Sequence, residues 1–172
     1  MKPSVKKTAF MGTMLSLAII LIFLERMLPP LPMLPPQFSK IGLSNIIVMY
    51  IFFFVGKKEA FAMGALKAFF NLLLRGPVAG LLSLCGGLFS IAVMYLLWRL
   101  FKDKVSYVSL SVAGAVGHNA AQLFAACLLL QNWVLFMFYL PILLIAGAIF
   151  GTITGLSLRV IMPVFKKIHG GW

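Results

Sequence analysis

The chain has 172 residues, of which 62% are hydrophobic and 10% are charged. Soluble domains average about 45–50% apolar and about 25% charged residues, so this composition excludes a soluble globular domain, a disordered chain and a secreted disulfide scaffold. It indicates an integral membrane protein. The net charge is +12, but the basic residues form short clusters between long apolar runs, which is typical of cytoplasmic loops and argues against nucleic-acid binding.

The apolar runs predict six membrane helices, because a spanning helix needs about 20 mostly apolar residues. We predict a single, all-α transmembrane domain over residues 1–172, with helices at about 7–28, 41–55, 57–74, 77–98, 106–130 and 134–161. The second helix is short and is expected to start deeper in the membrane. The first follows basic residues but lacks a small-residue cleavage site, so we interpret it as a retained helix rather than a signal peptide.

Prolines mark three places along the chain. Pro77 suits the first turn of the fourth helix, where its missing N–H costs little. Pro141 lies inside the sixth helix and is expected to kink it or to move its start. A proline-rich loop, residues 29–40, joins the first two helices on the outside. It is either a stiff linker or a lid over an outward-facing pocket, and both interpretations stay open.

Lysine and arginine predict the orientation. With a cytoplasmic N-terminus, the outer side carries Arg26, Lys40 and Arg75, while the inner side carries eleven basic residues, namely Lys2, Lys6, Lys7, Lys57, Lys58, Arg99, Lys102, Lys104, Arg159, Lys166 and Lys167. This bias follows the positive-inside rule, so both termini are predicted to be cytoplasmic.

Costly polar residues lie within the predicted helices. Lys67, Asn71 and Arg75 follow one another at four-residue steps in the third helix, so they share one face. In the predicted orientation, these three residues fall between the membrane middle and the outer face. Polar residues of three other helices fall at the same depth, namely Glu25, Asn45, His118, Asn119 and Gln122. Polar side chains at a common depth are typical of a substrate pocket.

Two interpretations of this cluster compete. The first is a set of hydrogen bonds and ion pairs, such as Glu25 with Arg75 or Lys67, that only hold the helices together. The second is a substrate pocket, which we favour because the basic residues exceed what Glu25 can neutralise. A positive pocket favours a guest with a carboxylate, a phosphate or electron-rich carbonyl groups.

Small residues at four-residue spacing indicate close helix packing. Gly147, Gly151 and Gly155 form such a ladder in the sixth helix. Gly12 and Ser16 form a shorter pattern in the first helix. That pair is either a docking face for another membrane subunit or an ordinary contact within the bundle, and the second interpretation is slightly favoured.

The sequence contains no catalytic or metal-binding motif that we can assemble. It has no phosphate-binding loop for ATP, and Asp103 is its single aspartate, whereas a magnesium-dependent prenyl-diphosphate synthase needs clustered carboxylates. Cys85 and Cys127 lie in apolar runs and are interpreted as small buried side chains. We therefore expect no enzyme activity, no cofactor and no metal.

Several segments resemble successive motifs of one family, the "Gx transporter" family, which is often labelled heptaprenyl diphosphate synthase component I. The segments are Gly42-Leu43-Ser44-Asn45, Gly56-Lys57-Lys58-Glu59-Ala60, Ser83-Leu84-Cys85-Gly86-Gly87-Leu88, Ala113-Gly114-Ala115-Val116-Gly117-His118-Asn119-Ala120-Ala121-Gln122-Leu123 and Tyr139-Leu140-Pro141. This family is similar to the substrate-binding S-components of energy-coupling-factor (ECF) transporters, the vitamin-uptake systems of prokaryotes.

The resemblance implies a six-helix S-component fold in a prokaryotic cell membrane, with a small-molecule substrate held near the outer face. It also implies an ECF coupling subunit and two cytoplasmic ATPases as partners. S-components dock through a small-xxx-small motif on the first helix, of which Gly12-xxx-Ser16 is a loose version. The alternative functions are an accessory subunit of isoprenoid or quinone metabolism without catalysis of its own, and an assembly scaffold without a ligand.

Overall fold

The structure, a computed structural model, describes residues 3–27 and 42–168, and these are helical with no strand among them. The prediction of an all-α protein is confirmed. Six α-helices follow one another, with a 3₁₀ turn, Lys102–Lys104, between the fourth and the fifth. The helices are α1 Pro3–Met27, α2 Ser44–Phe54, α3 Lys57–Arg75, α4 Pro77–Phe101, α5 Tyr107–Leu130 and α6 Val134–Ile168.

Four of these helices are long and apolar enough to cross a membrane. The candidate spans are Val5–Glu25, Pro77–Phe101, Tyr107–Leu130 and Val134–Val160, which makes this a membrane protein. The other two helices differ: α2 has 11 residues, a length of about 16 Å, and α3 carries charged residues along its length. Six spans and cytoplasmic termini therefore stay predictions.

Turn chemistry sets the bounds of several helices. Gly76 has φ +89°, a conformation that favours glycine, and Pro77 follows it in the first turn of α4, as predicted. The Ser106 side chain caps α5 by accepting a hydrogen bond from the Ser109 backbone N–H at 3.0 Å. Pro141 lies within α6, which continues through it. The proline-rich loop lies outside the described residues.

The glycine ladder of α6 packs directly on the backbone of α5. A Cβ atom at Gly151 would lie 2.7 Å from the Cα atom of Val112, and one at Gly155 would lie 2.6 Å from that of Val108. Gly147 faces Val116 in the same way, at 3.1 Å. Only glycine permits this approach, which brings the two helix backbones together.

We use "inner" for the end of the bundle predicted to be cytoplasmic and "outer" for the other. The inner half contains an apolar core around α2, whose Ile51 and Phe52 are almost fully buried. Met63 of α3, Ile91 of α4 and Leu110 of α5 complete it. The buried lysine and amide side chains lie in the outer half, whereas Ser90, Ser111 and Thr154 are buried hydroxyl-bearing residues closer to this core.

The small residues of α1 face outward. Gly12 and Ser16 are exposed, and no atom of the described residues lies within 4 Å of a Cβ built at Gly12. The Ser16 hydroxyl donates to the Gly12 carbonyl at 3.1 Å, so it is satisfied within its own helix. In the described part of the chain no other helix lies close to Gly12, and the choice between a contact within the bundle and a docking face stays a prediction.

Candidate functional site

One cavity in the outer half of the bundle brings together all eight polar residues that the sequence singles out. Glu25, Asn45, Lys67, Asn71, Arg75, His118, Asn119 and Gln122 all line it. The empty space between its walls, counted with its open mouth, is about 630 Å³. We call it the polar cavity. That these residues contact a ligand stays a prediction.

Lys67 lies at the base of the polar cavity and is 4% exposed. Its ammonium group donates hydrogen bonds to Asn45 Oδ1 and, at 3.2 Å, to Ser44 Oγ. Both acceptors are neutral side chains at the start of α2. Among the described residues, a buried cation is thus held by dipoles rather than by a carboxylate, which leaves its charge uncompensated by direct pairing.

Asn71 lies one turn further out on the same face of α3. It is 4% exposed, and its amide Nδ2 donates to Ser83 Oγ on α4 at 2.9 Å. Its carbonyl oxygen Oδ1 is buried and has no hydrogen-bond partner within the described ranges. A buried acceptor of this kind costs free energy, so Asn71 has one polar atom that water or a ligand donor can satisfy.

Glu25 connects the end of α1 to the start of α2. Its carboxylate accepts a hydrogen bond from the backbone N–H of Leu43, the N-cap residue of α2. A carboxylate is stabilised at a helix N-terminus because the backbone N–H groups and the helix dipole are both positive there. Glu25 therefore serves α2 as well as the cavity.

His118 and Asn119 reach the cavity through close contacts of α5 with its neighbours. A Cβ atom at Gly86 of α4 would lie 2.9 Å from the imidazole Cε1 of His118, so glycine there makes room for the ring. The Asn119 amide donates to the Leu143 carbonyl of α6 at 2.9 Å. The amide nitrogen of Asn119 is thus engaged in a contact between α5 and α6. Gln122, one turn further along α5, is buried at 5% exposure.

The cavity has a positive net formal charge, because its two basic residues, Lys67 and Arg75, outnumber its one acidic residue, Glu25. The sequence has three acidic residues in all. Glu59 pairs with Lys7 at the inner end of the bundle, and Asp103 lies in the 3₁₀ turn beyond α4. Glu25 is therefore the one carboxylate of the chain at the cavity, and it faces Lys67 and Arg75. The arrangement can hold an anion.

Several lining residues escaped the sequence prediction of the site. They are small or apolar, and nothing in their type distinguishes them from packing residues, namely Ile22, Gly42, Ser44, Ser83, Ala115, Gly147 and Phe150. Ser83 gave the clearest missed signal, since it is a hydroxyl within an apolar helix. The described residues contain no cluster of three or more histidine, cysteine or acidic side chains that could hold a metal.

Comparison with known proteins gives one match. The family described as heptaprenyl diphosphate synthase component I matches residues 14–161, which run from within α1 to the last turns of α6. No curated protein and no solved structure matches the chain. The matched range contains every motif on which the resemblance rests and all eight predicted residues of the polar cavity. The chain therefore belongs to the heptaprenyl diphosphate synthase component I family, as its sequence motifs predict.

Proposed function

We propose that this protein is the substrate-binding membrane subunit of an uptake system for a small organic anion. The observation that carries the proposal is the buried ammonium group of Lys67, held by two neutral side chains in a cavity that also contains Arg75 and His118. The direct hydrogen bonds of Lys67 go to neutral side chains, and Glu25 acts on it through space only, which makes its burial expensive in a membrane protein. An anionic substrate would supply a counter-charge in direct contact.

In this proposal each residue has a distinct role. Lys67 and Arg75 bind the negative group of the substrate, since ammonium and guanidinium groups both bind carboxylates and phosphates. His118, Gln122 and the free oxygen of Asn71 contact its polar atoms. Asn45 orients Lys67, Asn119 fixes α5 against α6, and Glu25 holds α2 at the mouth of the cavity.

Energy for uptake would come from other subunits, because the chain has no nucleotide-binding motif of its own. The proposed partners are an ECF coupling subunit and two cytoplasmic ATPases. The exposed pair Gly12 and Ser16 on α1 supports this, since small residues on an outward face let another helix approach closely. The protein would be a six-span, non-enzymatic subunit of a prokaryotic cell membrane, with both termini in the cytoplasm.

Anion binding can be measured on the purified chain in lipid nanodiscs. The probes are sodium acetate and inorganic phosphate, and the readout is the shift of the thermal unfolding midpoint at constant ionic strength. Lys67→Met should weaken the binding of the better probe at least about tenfold, as expected for a lost charge-assisted contact. Lys104→Gln removes an exposed cation at the inner end and should leave binding unchanged. Equal binding by all three proteins would contradict the proposal.

The partner proposal needs a separate experiment. Affinity purification of the tagged chain from its native membrane should bring down an ATPase, identified by mass spectrometry. Gly12→Leu should reduce that yield because a leucine side chain keeps a partner helix away. Recovery of the ATPase at the same level with Gly12→Leu would place the docking face elsewhere.

The family description favours a second candidate function. An accessory subunit of isoprenoid or quinone metabolism would use the same positive cavity for a prenyl diphosphate, without catalysing its synthesis. Mass spectrometry of small molecules that co-purify with the chain separates the two functions. A vitamin-like anion supports uptake, whereas a prenyl diphosphate or quinone supports the accessory role.

A further inference from the structure

A second cavity lies below the polar cavity, toward the inner end of the bundle. Its empty space is about 490 Å³, again counted with its opening. The two cavities share part of their walls, including Asn45, Lys67 and Phe150. Lys67 therefore lies on the boundary between them, and a molecule bound beside its ammonium group has access to both spaces. We call this second space the lower cavity.

Among the described residues, Lys67 is the one charged side chain in the wall of the lower cavity. Its remaining side chains are small, apolar or hydroxyl-bearing, namely Val48, Met49, Ser90, Met94, Ser111, Ala115, Phe150 and Thr154, together with four glycines and the amide of Asn45. Of the glycines on α3, α4 and α5, Gly87 of α4 is the one that faces open space among the described residues. Uncharged walls of this kind suit an uncharged, slender group.

Gly87 shows that this space is empty rather than closely packed. The residue is buried in α4, yet no described atom lies within 4 Å of a Cβ built on it. By contrast, a Cβ at Gly114, on the same cavity wall, would lie 2.9 Å from the Met94 side chain. A buried glycine that faces open space inside a helix bundle is unusual, because protein interiors are closely packed.

Ser111 provides an independent sign that protein atoms do not fill the lower cavity. Its side chain is 2% exposed, and its hydroxyl has no hydrogen-bond partner among the residues described. A hydroxyl in a membrane helix commonly bonds to the carbonyl one turn earlier, as Ser16, Thr152 and Ser157 do here. An unpaired buried hydroxyl costs free energy that a guest oxygen or a water molecule can recover.

We propose that the lower cavity binds the uncharged chain of an elongated anionic substrate whose charged group lies beside Lys67 in the polar cavity. The substrate class is thus an amphipathic carboxylate or phosphate ester with a narrow aliphatic chain, rather than a compact ion. This inference deepens the proposed function and rests on it, since the polar cavity supplies the anion-binding end. Lys67 lies where the charged group of the substrate joins its uncharged chain.

The test uses a homologous series of probes on the purified chain in nanodiscs: acetate, butyrate, hexanoate and octanoate, with hexanamide as the uncharged control. The readout is the dissociation constant from ligand-dependent shifts in thermal unfolding. Kd should fall about fourfold for each methylene group buried in the lower cavity, until the space is filled. Hexanamide should bind more weakly than hexanoate, because it lacks the charge that Lys67 binds.

Gly87→Leu is the decisive variant, because Gly87 lines the lower cavity and a Cβ atom there meets no described atom within 4 Å. It should bind acetate as the wild type does but lose the gain from added methylene groups. Ala65→Leu is the matched control, since Ala65 is an exposed helical residue of α3 and its leucine adds bulk away from both cavities. It should reproduce the wild-type series.

The outcomes separate the inference from the proposed function. A flat series in the wild type, or a Gly87→Leu series that matches the wild type, overturns the lower-cavity inference while Lys67-dependent acetate binding still supports the anion site. Failure of every probe to bind overturns both. If Gly87→Leu does not fold, Gly87→Ala adds one methyl group and should show a smaller loss of the chain-length gain, and the absence of any loss overturns the inference.

Discussion

The two halves of α3 present one continuous face to the bundle, but its chemistry changes midway. In the inner half, Ala60 and Met63 are fully buried in the apolar core. In the outer half, Lys67 and Asn71 are almost as deeply buried but line a cavity. Burial alone therefore does not distinguish a core residue from a cavity-lining residue in this helix.

The difference lies in what each half contacts. Met63 meets other apolar side chains, so its burial contributes packing energy. Lys67 meets two neutral polar groups, and its burial carries a desolvation cost that such contacts recover only in part. Replacing residues in the two halves should consequently change different properties, stability in the first case and binding in the second.

The largest effect on stability is expected from Met63→Ala. Removing the side chain leaves a cavity in the inner core and should lower the free energy of unfolding by about 3 kcal/mol. Leu66→Ala is the matched control, because Leu66 lies on the same helix but is 43% exposed. Denaturation of both variants in detergent measures the difference. Equal losses would mean that the inner half of α3 is not a packed core.

Lys67→Met should have the opposite profile. It removes a buried charge, so stability should be unchanged or higher by about 1 kcal/mol, while anion binding falls. Thermal unfolding with and without acetate measures both properties on one sample. A large loss of stability with unchanged binding would show that Lys67 holds the bundle together, which is the competing interpretation of the polar cluster.

Ser83→Ala should have a smaller effect, a loss of about 0.6–1.7 kcal/mol, as is typical of hydrogen bonds between membrane helices. The variant leaves the Asn71 amide without its partner on α4. The double variant Ser83→Ala with Asn71→Leu removes both polar groups and should recover part of the loss. Additive losses would mean that the two side chains do not interact.

The smallest change is expected from Gly64→Ala. The new methyl group would lie 2.9 Å from the end of the Ile91 side chain, which can rotate away, and alanine also favours the helix. The two effects should nearly cancel, leaving unfolding within about 0.5 kcal/mol of the wild type. A loss above about 2 kcal/mol would indicate that α3 and α4 are packed too rigidly at this level to adjust.

Much of the fold follows from apolar run length and helix-boundary signals. Pro77 and the polar residues at 102–106 place helix ends within a few residues of those observed. The polar cavity was also predictable, because the positive-inside pattern assigns a depth to each polar residue and costly side chains at one depth tend to meet. Which face of α1 packs on the bundle was not predictable, because the sequence around Gly12 has the same pattern whether Gly12 faces a helix or lipid.

The lower cavity was beyond prediction for a related reason. A sequence shows glycine at position 87 but not whether neighbouring side chains fill the space that it leaves. At position 151 a glycine lets two helix backbones come into contact, whereas at position 87 a glycine borders empty space. Only the relative placement of three helices distinguishes the two cases.

Two of the three acidic side chains hold α1 at opposite ends. Glu25 accepts a hydrogen bond from the backbone N–H of Leu43 at the start of α2, and Glu59 pairs with Lys7. Because the Lys7–Glu59 bridge is partly solvent-accessible, dissolved ions weaken it. The Glu25 contact is to a backbone amide and depends less on them. High salt should therefore loosen this helix first at its inner end, so that it pivots about its outer end rather than detaching as a whole.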